Sequence, residues 1–249
     1  MLDTSIHMKE VRILSVAFDT EIAAHETPAF RGAVIEKVGL EHELFHNHNN
    51  DPSAKVAYHY RYPLVQYKRQ RRKPSIVFID KGVDQAQHFF MQPDWSLDFA
   101  GRHYQAAISD LKVRQYRLGV TDEPHYYTLR HWAGLNQENY ERFSQLEGLA
   151  EEVKMLERIL VGHILGFANG VGHRFERRFD LSILHILGRR FRPFEGVGLL
   201  TFDLRFKANV LLPGFIGLGR GVSRGFGMVN QWNPKQQNGK NLSYDGKAE

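Results

Sequence analysis

The segment Gly217-Leu-Gly-Arg-Gly-Val-Ser-Arg-Gly-Phe-Gly227 (GLGRGVSRGFG) contains five glycines and two arginines in eleven residues. Glycine lets a backbone approach a phosphate closely, and the pattern around the glycines indicates which phosphate is bound. A dinucleotide-binding fold needs a strand, then G-x-G-x-x-G, then a helix. Here the third glycine, Gly221, comes too early, and the following Phe226-Gly-Met-Val229 is typical of a strand. The segment therefore does not belong to a dinucleotide-binding fold.

A nucleoside triphosphate loop is excluded as well, because no Gly-Lys-Ser/Thr ends the segment. No cofactor is therefore expected. We predict instead that this glycine loop holds the phosphates of a larger polyanion through close backbone approach and basic side chains. A tight turn between two strands is the alternative, although such a turn needs fewer glycines. The predicted contacts in the loop are Gly217, Gly219, Arg220, Ser223, Arg224, Gly225 and Gly227.

The composition agrees with a polyanionic partner. The 249 residues carry a formal net charge of +5, with thirteen histidines in addition, and basic proteins bind phosphate polymers through counterion release. The absence of cysteine excludes disulfides and thiolate zinc sites and suits a cytoplasmic protein. The N-terminal residues do not resemble a signal peptide. The apolar stretch at residues 156–167 is interrupted by His163 and is too short to span a membrane, so no membrane association is expected.

Periodicity upstream of the glycine loop predicts two similar halves. Strands are predicted at residues 11–18, 58–67, 75–79 and 106–118, with helices at residues 27–39 and 83–91. The second half contains predicted strands at residues 126–132, 179–187 and 199–212, and one long helix at residues 137–167 with Asn136 as N-cap. This order predicts an α+β protein of two tandem ferredoxin-like (RRM-like, βαββαβ) domains. The predicted domains are residues 1–120 and 121–232, and residues 233–249 are predicted to be a disordered tail.

Two basic segments are predicted to be turns between strands. They are Lys68-Arg-Gln-Arg-Arg-Lys73 and Gly188-Arg-Arg-Phe-Arg-Pro193. Charges in a turn are solvated, so both segments are predicted to contact phosphates, although an ordinary charged hairpin is the alternative. The predicted phosphate-binding residues here are Lys68, Arg69, Arg71, Arg72, Arg189 and Arg190. His163 and His185 lie among apolar residues and are interpreted as structural.

Several segments together resemble the CRISPR-associated repeat-processing endoribonucleases of the RAMP superfamily. The most specific is GLGRGVSRGFGMV after the strand FDLRFKAN. The segments PAFRGAVIEKVG, FHNH and YRYPLVQYK are similar to the N-terminal half of one subgroup, and LERILVGHILGFANGVG is similar to its C-terminal half. The resemblance extends over most of residues 8–230.

This resemblance implies a metal-independent endoribonuclease that cuts CRISPR precursor RNA within its repeats. The ribose 2′-hydroxyl attacks the adjacent phosphate and leaves a 2′,3′-cyclic phosphate and a 5′-hydroxyl. The family's catalytic histidines lie after the first helix, which here means His46 and His48. Histidine titrates near neutral pH and suits both the base and the acid roles. A cation should stabilise the transition state, and the candidates for this role are Lys37, Lys55, Arg61 and Lys68.

Alternatives remain at this stage. His46 and His48 also suit a solvated polar loop, and with Asp51 and His59 they could bind zinc or manganese, although closely spaced histidines alone are a weak metal signature. A second function class is a non-catalytic RNA-binding scaffold subunit of a CRISPR effector complex, and a third is an RNA-binding protein of another pathway. The expected partner is CRISPR repeat RNA. An effector complex and a second copy of the chain are further candidate partners.

Overall fold

The computed structural model describes residues 8–46 and 62–235. Its strands are β1 (Lys9–Phe18), β2 (Val65–Gln70), β3 (Lys73–Ile79), β4 (Ser96–Phe99), β5 (Arg102–Gln105), β6 (Ile108–Trp132), β7 (Leu181–Phe194), β8 (Val197–Leu211) and β9 (Met228–Gln231). Its α-helices are α1 (Thr27–Val38), α2 (Glu43–His46), α3 (Ala86–Phe90), α4 (Gln137–Phe143) and α5 (Leu149–Gly170). Short 3₁₀ turns occupy Ala24–Glu26, Asp80–Gln85 and Val222–Arg224.

One long strand joins the two halves of the protein. The main sheet has the order β2-β3-β1-β6-β8-β7, and β9 also pairs with β6. The first part of β6 pairs with β1 up to Leu118 opposite Lys9, and its second part pairs with β8 from Gly119 opposite Leu211. A single strand therefore ends one βαββαβ unit and begins the next. The predicted fold class, α+β with two ferredoxin-like units, is confirmed.

The N-terminal unit is built on α1, which packs on the sheet through Phe30, Val34 and Val38. Phe30 lies edge-on to Phe18 of β1 at 5.8 Å between ring centroids. The helix begins at Thr27 with proline in its first turn, a position where no backbone N–H is needed. It ends at Gly39, whose φ of 103° suits glycine. These bounds follow the sequence prediction.

The C-terminal unit has two helices where one was predicted. The side chain of Asn136 accepts a hydrogen bond from the Asn139 amide and caps α4, as predicted. The chain then leaves the helix before Gly148, whose extended backbone (φ −122°, ψ 137°) precedes α5. Apolar residues three or four apart along α5 form a stripe that is buried against the sheet, whereas Leu149 is exposed because it stands at the start of the helix. The fully buried stripe residues are Leu156, Leu160, Ile164 and Phe167.

The basic segment at residues 188–193 is a strand, which corrects the predicted turn. The turn of the β7–β8 hairpin is Glu195-Gly196, with φ of 50° and 80°. Positive φ at both central residues matches the right-handed twist of the strands, and the turn begins two residues after Pro193, the last residue of the predicted turn. Among the described residues, no helix is long and apolar enough to cross a membrane.

Candidate nucleic-acid interface

The glycine loop (residues 217–227) is attached to the N-terminal unit at its first residue. The Tyr62 hydroxyl donates to the Gly217 carbonyl at 2.8 Å, and the Gly217 amide donates to Gln66 Oε1 at 3.0 Å. Gln66 Nε2 donates in turn to the Tyr62 hydroxyl at 2.7 Å. Burial raises the pKa of Tyr62, so its hydroxyl stays neutral. This triad fixes the start of the loop beside β2.

Most backbone amides of the glycine loop are already used within the protein. The Arg220 amide donates to the Ala133 carbonyl and the Gly227 amide to the His131 carbonyl. The amides of Gly217, Leu218 and residues 224–226 also donate to the protein. Within the described chain, the amides without such an acceptor belong to Gly219, Gly221, Val222 and Ser223. Backbone contacts to a phosphate are therefore confined to the middle of the loop.

Lack of space requires glycine at several loop positions, including Gly219 and Gly227. At Gly219, with φ of 92°, a side-chain carbon would lie 2.8 Å from the Ala133 carbonyl oxygen and 2.9 Å from the Trp132 ring. At Gly227, with φ of 65°, it would overlap the Leu218 carbonyl. These glycines let the loop fold back on β6, so part of the glycine pattern serves packing and not ligand contact.

The two arginines of the loop have different surroundings. Arg220 is exposed. Arg224 pairs with Glu195 of the β7–β8 turn at 2.6 Å, and its guanidinium lies over Phe194 at 5.1 Å from the ring centroid. A phosphate at Arg224 would have to compete with this carboxylate, whereas one at Arg220 would not.

Lys68 lies beneath the end of the glycine loop. Strand alternation puts Lys68 on the same face of β2 as Gln66, and a side-chain carbon at Gly225 would lie 3.7 Å from the Lys68 Cα. Lys68 is 1% exposed, and its Nζ donates to no described residue. Directly opposite in the β2–β3 ladder, Ser75 Oγ is also buried without a partner among the described residues. Burial lowers the pKa of Lys68 to about 7.

The prediction that every charge from Lys68 to Lys73 is solvated is therefore wrong. β2 continues to Gln70, so Lys68 is a strand residue, and the turn is Arg71-Arg72. Arg69 Nε donates to the Ile22 carbonyl at 2.6 Å, and Arg72 pairs with Glu21 at 3.0 Å. Arg71 is exposed at the tip of the hairpin.

The arginines of β7 are divided between the two faces of the sheet. Arg189 pairs with Glu152 of α5 and lies over the rings of Phe143 and Phe202 at 5.1 and 5.5 Å from their centroids. This pairing assigns Arg189 to the packing of α5. Arg190 is exposed on the strand. A phosphate can therefore reach the exposed side chain of Arg190, as predicted. The guanidinium of Arg189 is already engaged by Glu152 and by two aromatic rings.

His46 is the predicted catalytic residue that the structure describes. It ends α2, is 4% exposed, and its Nε2 lies 2.8 Å from the Leu40 carbonyl. A carbonyl only accepts, so Nε2 carries a proton. The Arg31 guanidinium donates to the His46 carbonyl at 2.7 Å and lies over the Tyr67 ring at 5.9 Å. His46 is thus linked to β2 one residue away from Lys68.

The other predicted catalytic residues lie outside the described residues: His48, Lys55 and Arg61. Lys37, a further candidate cation, pairs with Asp94 at 3.0 Å near the C-terminal end of α1. Asp51 and His59, from the metal alternative, are also outside the described residues. Within the described ranges, no group of three or more metal-ligating side chains comes together.

His131 is a residue near the loop that the sequence analysis missed. It stands at a bulge of β6 with φ of 52°, and its amide donates to Asp203 Oδ1 at 2.6 Å. Its pKa is lowered by burial first and by the nearby Arg192 next. No local sequence pattern could have indicated His131. The arginines that surround it, Arg130, Arg190 and Arg192, come together only through the pairing of the strands in the sheet.

Fold and loop define a double ferredoxin-like protein whose glycine loop closes against its N-terminal unit. A model of the Cas6b N-terminal domain matches residues 9–117, and a model of the Cas6b C-terminal domain matches residues 119–232. The chain belongs to the Cas6b family. The predicted division at residue 120 stays a prediction, since β6 runs continuously through this point.

Solved structures share the fold. A crystal structure of Cas6b aligns over 90% of this chain and 100% of its own, with 24% identity and a TM-score of 0.77. A second one, of the CRISPR RNA processing endoribonuclease Cas6b, has the same coverage, 20% identity and a TM-score of 0.66. An uncharacterized protein of Methanocaldococcus jannaschii is 28% identical over 134 residues, which are 53% of this chain and 90% of that protein.

Proposed function

We propose that this chain is a metal-independent endoribonuclease that cuts CRISPR precursor RNA within its repeats and releases mature guide RNAs. The observation that carries the proposal is the match of both Cas6b domain models, which together extend from residue 9 to residue 232. The solved Cas6b structure described as a CRISPR RNA processing endoribonuclease supports it. The basic net charge and the exposed Arg220, Arg190 and Arg71 suit an RNA backbone.

The proposed reaction needs three groups. A base removes the proton of the 2′-hydroxyl, its oxygen attacks phosphorus, and the bond to the 5′-oxygen breaks as an acid returns a proton to that oxygen. The products are a 2′,3′-cyclic phosphate and a 5′-hydroxyl. A cation stabilises the additional negative charge of the transition state. Of the two described candidates for this role, Lys68 lies beneath Gly225 of the loop, whereas Lys37 pairs with Asp94.

Histidines 46 and 48 remain the two candidates for the acid and base roles. The buried position of His46 suggests a division of labour between them. Since its Nε2 proton is held by the Leu40 carbonyl, His46 is suited to fixing the end of α2, two residues before His48 in the sequence. Proton transfer would then fall to His48.

Substitutions at His46 separate proton transfer from positioning. His46→Gln keeps an N–H donor for Leu40 but cannot titrate, whereas His46→Ala loses both properties. If His46 positions the segment, the glutamine variant should cleave close to the wild-type rate and the alanine variant should not. Equal loss in both variants, with RNA binding retained, would assign His46 to proton transfer. His48→Ala should abolish cleavage in either case.

The whole proposal is tested with a repeat RNA in EDTA. Cleavage should continue without metal. It should stop when the nucleotide before the scissile phosphate carries 2′-deoxyribose, because the attacking hydroxyl is then absent. End analysis should find a cyclic phosphate and a 5′-hydroxyl. Cleavage of the deoxy substrate, or a requirement for added metal, would overturn the mechanism. Tight binding without any cleavage would favour a scaffold subunit of an effector complex.

A further inference from the structure

A cluster of aromatic and basic side chains lies on the outer face of the C-terminal sheet, away from the glycine loop. Tyr127 and Phe206 point to the core under α5, so their strand neighbours Tyr126 and Arg205 point to the opposite face. Trp232 follows β9 and covers this face, because its amide donates to the Tyr126 carbonyl at 2.9 Å.

The Trp232 ring touches side chains from three strands. The Tyr126 ring meets it edge-on at 5.9 Å between centroids, and the Arg205 guanidinium lies 4.5 Å from its centroid. The His185 ring, exposed on β7, lies at 6.4 Å. His185 was interpreted as structural from its apolar neighbours in sequence, but β7 presents it on this outer face. The indole Nε1 is buried and donates to no described residue.

A cavity of about 430 Å³ adjoins this ring. Its lining includes Pro124, His125, Tyr126, Trp232, Pro234 and Lys235. The lining combines aromatic and proline surfaces with the polar side chains of Gln231 and Asn233, and Lys235 supplies a positive charge. Cavities of a few hundred cubic ångströms with apolar walls and few polar groups are typical of small-ligand sites.

We propose that this cavity, here called the Trp232 site, binds one unpaired nucleobase of the RNA. The inference rests on the proposed function in that it takes RNA as the ligand. Unpaired bases are recognised by stacking on aromatic rings and arginine planes, and ferredoxin-like sheets of RNA-binding proteins use their open face in this way. Lys235 is exposed beside the cavity and can contact the phosphate that adjoins the stacked base.

The distance between the Trp232 site and the glycine loop determines which nucleotide of a bound RNA can reach the site. β9 begins directly after Gly227, and Trp232 follows five residues later, which corresponds to about 17 Å of extended strand. An RNA strand held by the loop can run beside β9 and insert a base at this distance. The site therefore selects RNA that is single-stranded at one fixed position relative to the loop.

Abasic scanning tests the proposal. Single abasic substitutions are placed along a repeat RNA that is 2′-deoxy at the scissile position, so that binding is measured without cleavage. In the wild type, we expect one position at which the abasic RNA binds about 5- to 150-fold more weakly, the range for losing one stacked base. In Trp232→Leu, the intact RNA should bind more weakly by the same factor, and the abasic substitution at that position should have no further effect.

The controls separate stacking from folding and from catalysis. Phe191→Leu removes another exposed aromatic of the β7–β8 hairpin and should leave the abasic profile unchanged, while Trp232→Phe should retain most of the affinity. Phe191→Leu should also cleave the normal repeat at the wild-type rate. If Trp232→Leu and each abasic substitution weaken RNA binding by factors that multiply at every position, no base stacks on Trp232 and the proposal is wrong. A wild type that shows the abasic profile but never cleaves would refute the proposed function and leave the site intact.

Discussion

At the scale of single residues, Lys68 links the stability of the protein to pH. Its pKa is lowered to about 7 by burial, whereas an exposed lysine has 10.5. Between these values the unfolded chain binds more protons than the folded one, so the free energy of unfolding rises with pH across this window. The burial cost is fully present below pH 7 and is lost as the pH approaches 10.5.

Lys68→Met should remove this dependence. The variant is expected to be about 2–4 kcal/mol more stable than the wild type at pH 6.5, a difference that disappears toward pH 10. Urea unfolding at a series of pH values measures both curves. Lys81→Met, which replaces an exposed lysine, is the matched control and should follow the wild type. Parallel curves for Lys68→Met and the wild type would show that Lys68 titrates normally.

At the scale of elements, the two arginines of the glycine loop should differ in their contribution to RNA binding. Arg220→Ala should weaken binding and reduce the salt slope of log K by about 0.7, as for one lost phosphate contact on a single strand. Arg224→Ala should change the slope less, because Glu195 already neutralises this arginine. Glu195→Gln should release Arg224 and strengthen binding. Filter binding from low to high salt measures all three variants, and equal slopes for the arginine variants would contradict the assignment.

The elements also show which features the sequence could predict. The period of Phe30, Val34 and Val38, followed by Gly39, was sufficient to predict α1, because local spacing determines an amphipathic helix. The arginines of residues 188–193 suggested a turn, but cross-strand pairing with β8 made them a strand and moved the turn to Glu195-Gly196. The burial of Lys68 depends on a loop that is distant in sequence, so no local pattern could indicate it.

At the scale of the whole molecule, the two ferredoxin-like units behave as one body. They share β6, and one core cluster includes Val11 and Ile13 of β1 together with Phe167 of α5. The triad of Tyr62, Gln66 and Gly217 adds a polar joint at the loop. Sequence reasoning predicted both units but not this joint, since Gln66 and Gly217 are 151 residues apart.

Breaking this joint should loosen the loop and lower the stability of the whole protein. Gln66→Leu leaves the Gly217 amide without its acceptor, at a cost of about 1–3 kcal/mol for a buried polar group left unpaired, while the Tyr62 hydroxyl keeps its bond to the Gly217 carbonyl. Tyr62→Phe removes one donor and should cost less, and the double variant should cost less than the sum, because both act on one network. Gln70→Leu, on the same face of β2 and with an Nε2 that has no described partner, should be nearly neutral.

Urea unfolding measures the stability of the wild type, the two single variants and the double variant. Hydrogen exchange at the Gly217 amide should rise in Gln66→Leu but not in Gln70→Leu. Strict additivity of Gln66→Leu and Tyr62→Phe would show that the two side chains hold the loop independently.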